Sequence, residues 1–286
     1  MRHLLILLFC SITATFCVAQ ETAVQETEVP NSVASDSHDM GPYSLKSLRP
    51  PGVETIKLKM PEIRLLQKSL SHESVEGINA RYLYRDITWD IRSVSEAVYH
   101  EECALEIVAE KAKHEYGDLK LPFDATNHEI VLHFAQTITP EDEVLGIMDG
   151  ADNELVPPEL AMAGAFCNRK LRVIAFSGVE TGAILHWSYS RIIKNPGQET
   201  RPITGMLMFQ KEIPVYNQKI QVRYPEDSPV VFSYSNECPE PGINKHDGYI
   251  IYNWEIPVMP AIQSEWGMPP MINIVPVCRF ATADLE

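Results

Sequence analysis

"RVIAFSGVETGAILHWSYS", residues 172–190, joins two apolar runs through a connector bounded by glycines. If Gly178-Val179-Glu180-Thr181-Gly182 carried a reaction, the chain would be an enzyme. If it only turns the backbone, the flanking runs are strands. In the second run Ala183, Leu185, Trp187 and Tyr189 fall on one side, with Ile184, His186, Ser188 and Ser190 on the other. That is the period-two pattern of a half-buried strand. Gly178 and Gly182 stand where a loop needs positive φ. A nucleophile elbow requires Gly-x-Ser-x-Gly, but Ser177 has Ala175 two residues before it and Val179 two after. No phosphate-binding glycine pattern is present. The stretch reads as a β-hairpin with residues 178–182 as its turn.

The same texture extends from about Tyr82 to the end of the chain. "YLYRDITWDI", "EAVYHEECALEIVAE", "HEIVLHFAQTIT", "NQKIQVRYP", "PVVFSYS", "GYIIYNWEI" and "MINIVPVCRFA" are short runs rich in β-branched and aromatic residues. Connectors such as "YPEDSP" and "CPEPGINKHDG" are rich in proline, glycine and acids. Runs of this length and spacing predict an all-β fold, an antiparallel sandwich of two packed sheets over residues 80–286. Residues 53–79 form a lead-in, with a short helix expected after Pro61. Residues 20–52 are polar, acidic and proline-punctuated, the composition of a disordered linker.

Residues 1–19 carry a basic head (Arg2, His3), an apolar run from Leu4 to Phe9 and small residues ending at Ala19. This is a secretory signal pattern, and its apolar run is shorter than the roughly 20 residues needed to span a bilayer. The expected location is therefore periplasmic or extracellular, with no membrane span. The net charge of −15 disfavours nucleic acid and suits a basic partner or a divalent cation.

Cleavage after Ala19 leaves Cys103, Cys167, Cys238 and Cys278. In an oxidising compartment these could form two disulfides; equally, they could be thiols, some of them buried. On a strand His100, Glu102 and Glu106 share a face. Such a face can hold a cation, but more often it is a solvated acidic edge. HExxH would need a histidine at Ala104, and His128 and His133 have opposite parity. Nothing marks Cys167 as a nucleophile paired with His186. No catalytic residue, metal site or cofactor is expected. In "AIQSEWGMPP", Trp266 and Met268 offer a stacking or partner surface, or else they plug one end of the sandwich.

The ordered motifs "YHEECALEIV", "HEYGDLKLPFD", "AQTITPEDEVL", "RVIAFSGVETGAILHWSYS", "FQKEIPVYNQKIQVRYPED", "YNWEIPVMPA" and "EWGMPPMINIVP" run across residues 80–280. Together they resemble the bacterial domain of unknown function 3857, which commonly precedes a transglutaminase-like domain in exported proteins. The resemblance implies a β-sandwich without established chemistry. It carries no catalytic residue onto this chain, which stops where the Cys-His-Asp domain of longer relatives would begin. The family usually has a glycine in the turn after "TITP", where this chain has Glu141-Asp142-Glu143. The expected function is an exported, non-catalytic module that binds or positions a glycan, a peptide or a transglutaminase-like partner in the cell envelope. The alternative is the truncated accessory half of a transglutaminase-like peptidase or crosslinking enzyme.

Overall fold

The computed structural model describes residues 58–71, 76–157, 159–160, 168–195, 202–263 and 265–282. The chain divides into two units, Met1–Gly41 and Pro42–Glu286, and all described residues belong to the second. The expected signal (1–19) and linker (20–52) lie outside them, as does Cys167.

The lead-in helix is present. Helix α1 (Met60–Ser69) has Pro61 in its first turn, and the Glu62 carboxylate accepts the Lys59 backbone N–H at 2.6 Å. Both features favour a helix start. Ile63, Leu66 and Leu70 recur at helical spacing and pack with Leu83, Tyr84, Ala104, Ile138 and Ile184.

Strands follow, interrupted by a short helix and by a 3-10 turn at Met271–Asn273 before the last strand. After β1 (Ala80–Ile91) and β2 (Glu96–Ile107) comes α2 (Ala112–Tyr116), which the sequence did not suggest. Then come β3 (Asp118–Asp124), β4 (His128–Ile138), β5 (Val144–Gly146), β6 (Asp152–Leu155) and β7 (Arg169–Ala175). The chain continues through β8 (Ile184–Lys194), β9 (Thr204–Met208), β10 (Val215–Pro225) and β11 (Val231–Ser235). It closes with β12 (Gly242–His246), β13 (Tyr249–Met259) and β14 (Val277–Ala281).

One layer of the sandwich is an eight-stranded sheet in the order β12-β13-β10-β1-β2-β8-β4-β5. The facing layer is divided between two three-stranded sheets, β11-β14-β9 and β3-β7-β6. Odd-numbered residues of β2 and β8, among them Cys103, Leu105, Leu185, Trp187 and Tyr189, point inward and pack on Leu121, Phe123 and Ile174 of the second small sheet. Ile87, Trp89, Ile220, Val222 and Trp254 pack on Leu207, Cys278 and Phe280 of the first. Each such large apolar side chain contributes on the order of 1.5–3 kcal/mol. The described pairings are antiparallel except β1 with β10, where Ile87 lies opposite Ile220. No helix among the described residues is long and apolar enough to cross a membrane.

The hairpin reading of residues 172–190 is corrected. β7 pairs with β3 and β6, whereas β8 pairs with β2 and β4 in the other layer. Residues 176–183 are a corner between layers. Its glycines do take positive φ, +62° at Gly178 and +87° at Gly182. Its far end is tied to β2 by Gly182 N–H to Ile107 O at 2.7 Å and Ile107 N–H to Ala183 O at 2.9 Å. A corner and a hairpin have the same sequence signature, two runs and a glycine-rich connector. Only the pairing partners distinguish them.

Candidate functional site

The outer face of the eight-stranded sheet, the face that carries α1, is polar across its centre. Register sets the rows: Glu102 lies opposite Asp86, Asp86 opposite Lys219, and Lys219 opposite Glu255, across β2, β1, β10 and β13. The next row is His100, Thr88, Gln221 and Asn253. Charges and amides alternate with core residues here because each strand is apolar on the other side.

Between α1 and this face runs a groove of about 550 Å³. Leu58, Leu65 and Leu66 form its apolar wall, and Asp86, Lys219, Gln221, Asn253 and Glu255 its polar floor. That volume lies within the usual range for ligand pockets. Asn217, with φ +49°, donates to Leu83 O at 3.0 Å, and Gln221 donates to Asn253 Oδ1 at 2.9 Å. Burial, and then the Glu102 carboxylate, push Asp86 up to about 6, while Lys219 partly offsets them. A carboxylate held in this way favours a cation beside it.

The position of α1 over the groove depends on the acidic turn. Asp142 takes the left-handed conformation (φ +69°), which glycine adopts most readily, and its carboxylate accepts Arg64 Nε at 2.6 Å. The Arg64 guanidinium also donates to Thr139 O. Gln67 reaches Glu106 Oε1 at 2.9 Å, and Arg81 donates to Leu70 O at 3.0 Å. A glycine at 142 would supply the turn but not the anchor.

Beside the groove, Glu102 Oε1 accepts the Tyr84 hydroxyl at 2.5 Å and lies 3.1 Å from His186 Nε2. His186 Nδ1 is 3.1 Å from Gln136 Nε2. Burial first, and then the Glu102 charge, raise the Tyr84 hydroxyl well above its ordinary range. Ser190 Oγ sits between His100 Nδ1 (3.1 Å) and His133 Nε2 (2.8 Å). His186 and Ser190 are each 1 % exposed, so these groups face neighbours rather than substrate. Among the described residues, no three His, Cys, Asp or Glu side chains converge as metal ligands.

His100, Glu102 and Glu106 do share a face, but in the middle of the sheet. They are buried and hydrogen-bonded, with Glu106 paired to Arg81 at 2.6 Å, and the solvated-edge reading is replaced by an internal network. A bulge between Leu132 and Phe134 turns His133 to the outer face, where it meets Ser190. Cys103, Cys238 and Cys278 are free thiols. Trp266 is fully exposed and plugs nothing, while Met268 is half-buried. Neither lines the groove.

The groove residues were not singled out from the sequence. Their signal is present in "RDITWD" and "NQKIQVR", where Asp86, Thr88 and Asp90, and Asn217, Lys219, Gln221 and Arg223, place a polar residue at every second position.

A family model described as a domain of unknown function with a solved structure, DUF3857, matches residues 55–263. The chain belongs to the DUF3857 family. The crystal structure of a "putative protease" from Parabacteroides distasonis is similar to this DUF3857 chain, with a TM-score of 0.65 and 22% identity, over 72% of this chain and 40% of that one. The likeness shows the fold, and the DUF3857 chain spans well under half of that protein. An M1 zinc metallopeptidase from Deinococcus radiodurans aligns at a TM-score of 0.30 and 8% identity, over 71% of this chain and 42% of that one, too distant to support any reading. No curated protein matches.

Proposed function

We propose that this DUF3857 protein is an exported, non-catalytic β-sandwich module that holds an extended peptide bearing a basic side chain. The groove beneath α1 carries this reading. Its floor presents Asp86 and Glu255 with Glu62 at its edge, against one cation, Lys219. Asn217, Gln221 and Asn253 supply donors and acceptors for peptide amides, and the leucines of α1 supply an apolar wall. The raised Asp86 is relieved when a ligand cation sits beside it. The acidic balance of the chain, −15, draws such a partner toward the surface. The leader pattern at residues 1–19 supports export.

Fluorescence anisotropy with labelled acetyl-Ala-Lys-Ala-amide and its norleucine analogue tests this reading. The lysine peptide binds, the norleucine peptide binds at least tenfold more weakly, and Asp86→Asn with Glu255→Gln removes the difference. Equal binding of the two peptides, or of neither, overturns it.

A second reading places the module beside a transglutaminase-like domain, as the accessory half of a peptidase or crosslinking enzyme. The fold match to a longer protein described as a protease favours it. The intact mass of the protein from its producing cells decides it: a mass far above 32.3 kDa supports this reading, and a mass at or slightly below that value refutes it.

A further inference from the structure

A second cavity lies on the opposite side of the eight-stranded sheet from the groove, and nothing in the groove reading bears on it. It has a volume of about 200 Å³ and is walled by Met208 of β9, Tyr116 of α2, Ile213 and Met271. Lys211 and Tyr82 complete it, with the exposed Glu212 at its rim.

Two cations, Arg85 and Lys211, stand behind this cavity with one buried carboxylate, Glu101, and the second carboxylate acting on Lys211 is the exposed Glu212. Glu101 accepts three hydrogen bonds, from the Cys103 thiol at 3.2 Å on Oε1 and from the hydroxyls of Tyr99 and of Tyr189 on Oε2, the latter at 3.2 Å, and its Oε1 lies 3.6 Å from Arg85 Nε. It acts on Lys211 through charge alone, without a hydrogen bond. Among the described residues Lys211 Nζ makes no hydrogen bond or ion pair; it stands 5.8 Å from the centre of the Tyr82 ring. The Tyr82 hydroxyl also has no hydrogen-bond partner among the described residues, although Tyr82 is nine-tenths buried. Two donors without acceptors, one of them a cation, thus line an apolar cavity. Neither donor atom is sealed from solvent, and an anionic ligand in the cavity would supply the acceptor that the protein does not.

We infer that this cavity is a binding site for a small monocarboxylate with a short apolar substituent, its carboxylate on Lys211 Nζ and the Tyr82 hydroxyl and its substituent among Met208, Ile213 and Met271. A phosphate or other dianion would need more donors than these two and would meet Glu212 at the rim. The volume admits one small residue or a branched short-chain acid. The same chemistry is presented by the C-terminal residue of a peptide and by a free carboxylic acid.

The neighbouring charges give the site a pH signature. Arg85 first, and then burial, lower the Lys211 ammonium to about 8, against the pull of Glu101, Cys103 and Glu212. Carboxylate binding therefore weakens as the pH rises past 8, where the amine loses its proton.

Calorimetric titration of the full chain with N-acetyl-valine, N-acetyl-valinamide and isovalerate tests the site. The expected result is that N-acetyl-valine binds, its amide binds at least tenfold more weakly, and Lys211→Met removes acid binding. Isovalerate binding as tightly as N-acetyl-valine assigns the site to free acids; much weaker isovalerate binding assigns it to peptide termini. Acid and amide binding alike, or no acid binding at all, overturns the proposal. Met271→Trp, which fills the cavity without touching the charges, gives a second variant should Lys211→Met fail to fold. Acid binding unchanged by the tryptophan also overturns the proposal.

Discussion

Glu101→Gln tests the buried charge cluster at the centre of the sandwich. Glu101 sits on the inner face of β2, opposite Ile87 of β1 and Tyr189 of β8. Burial pushes its carboxyl up, but the Arg85 and Lys211 cations and the Tyr99 and Cys103 donors outweigh that and hold it at about 2. The folded pKa lies below the ordinary value of 4.5, so the stabilisation is fully present above pH 4.5 and is lost as the pH falls through 2. A shift of that size amounts to about 3 kcal/mol at neutral pH. Glutamine keeps the shape but leaves Arg85 without a counter-charge, and breaking a buried pair in this way costs about 3–5 kcal/mol. Urea denaturation at pH 7 is therefore expected to show the variant less stable by that amount, with the gap narrowing by about 3 kcal/mol at pH 2. Adding Arg85→Met to the variant restores part of the loss, because no uncompensated charge remains at that position. A gap that does not change with pH would refute the reasoning, since it would mean that ionisation of Glu101 contributes nothing.

Gly205→Ala loses about 1–3 kcal/mol in the same assay, because a Cβ there would enter the Phe280 ring; adding Phe280→Leu recovers part of it. Asp86→Asn acts in the opposite direction. The folded carboxyl is raised from 3.8 to about 6, so its ionisation opposes folding as the pH climbs through that window. The variant is expected to be more stable at pH 8 by up to about 2 kcal/mol after allowance for solvent, with no gain below pH 4. Trp266→Ala leaves the thermal midpoint unchanged within the equivalent of about 0.5 kcal/mol, because the ring touches no core.

Legibility in the sequence followed locality. The alternation in β8 assigned Leu185, Trp187 and Tyr189 to the core side, and they pack there. The helix after Pro61 and the positive φ of Gly178 and Gly182 are local properties, and both are present. The layer of each strand is not local. β7 and β8 read as a hairpin because both alternate around a glycine-rich connector, yet β7 pairs with β3 and β6 and β8 with β2 and β4, in different layers. The parallel pairing of β1 with β10 joins segments more than a hundred residues apart, and no local signal announces it. The groove depends on that pairing, which brings Lys219 beside Asp86. Lys211 was likewise silent, since its significance comes from Arg85 and Glu101 on strands remote in sequence.

The measurement closest to the central claim is an amide chemical-shift titration of the labelled full chain with acetyl-Ala-Lys-Ala-amide. A module that holds a basic peptide under α1 shows its largest shifts at Leu65, Asn217, Lys219, Gln221 and Asn253, and loses them in Asp86→Asn. Shifts centred elsewhere on the sandwich, or unchanged by that substitution, would contradict it.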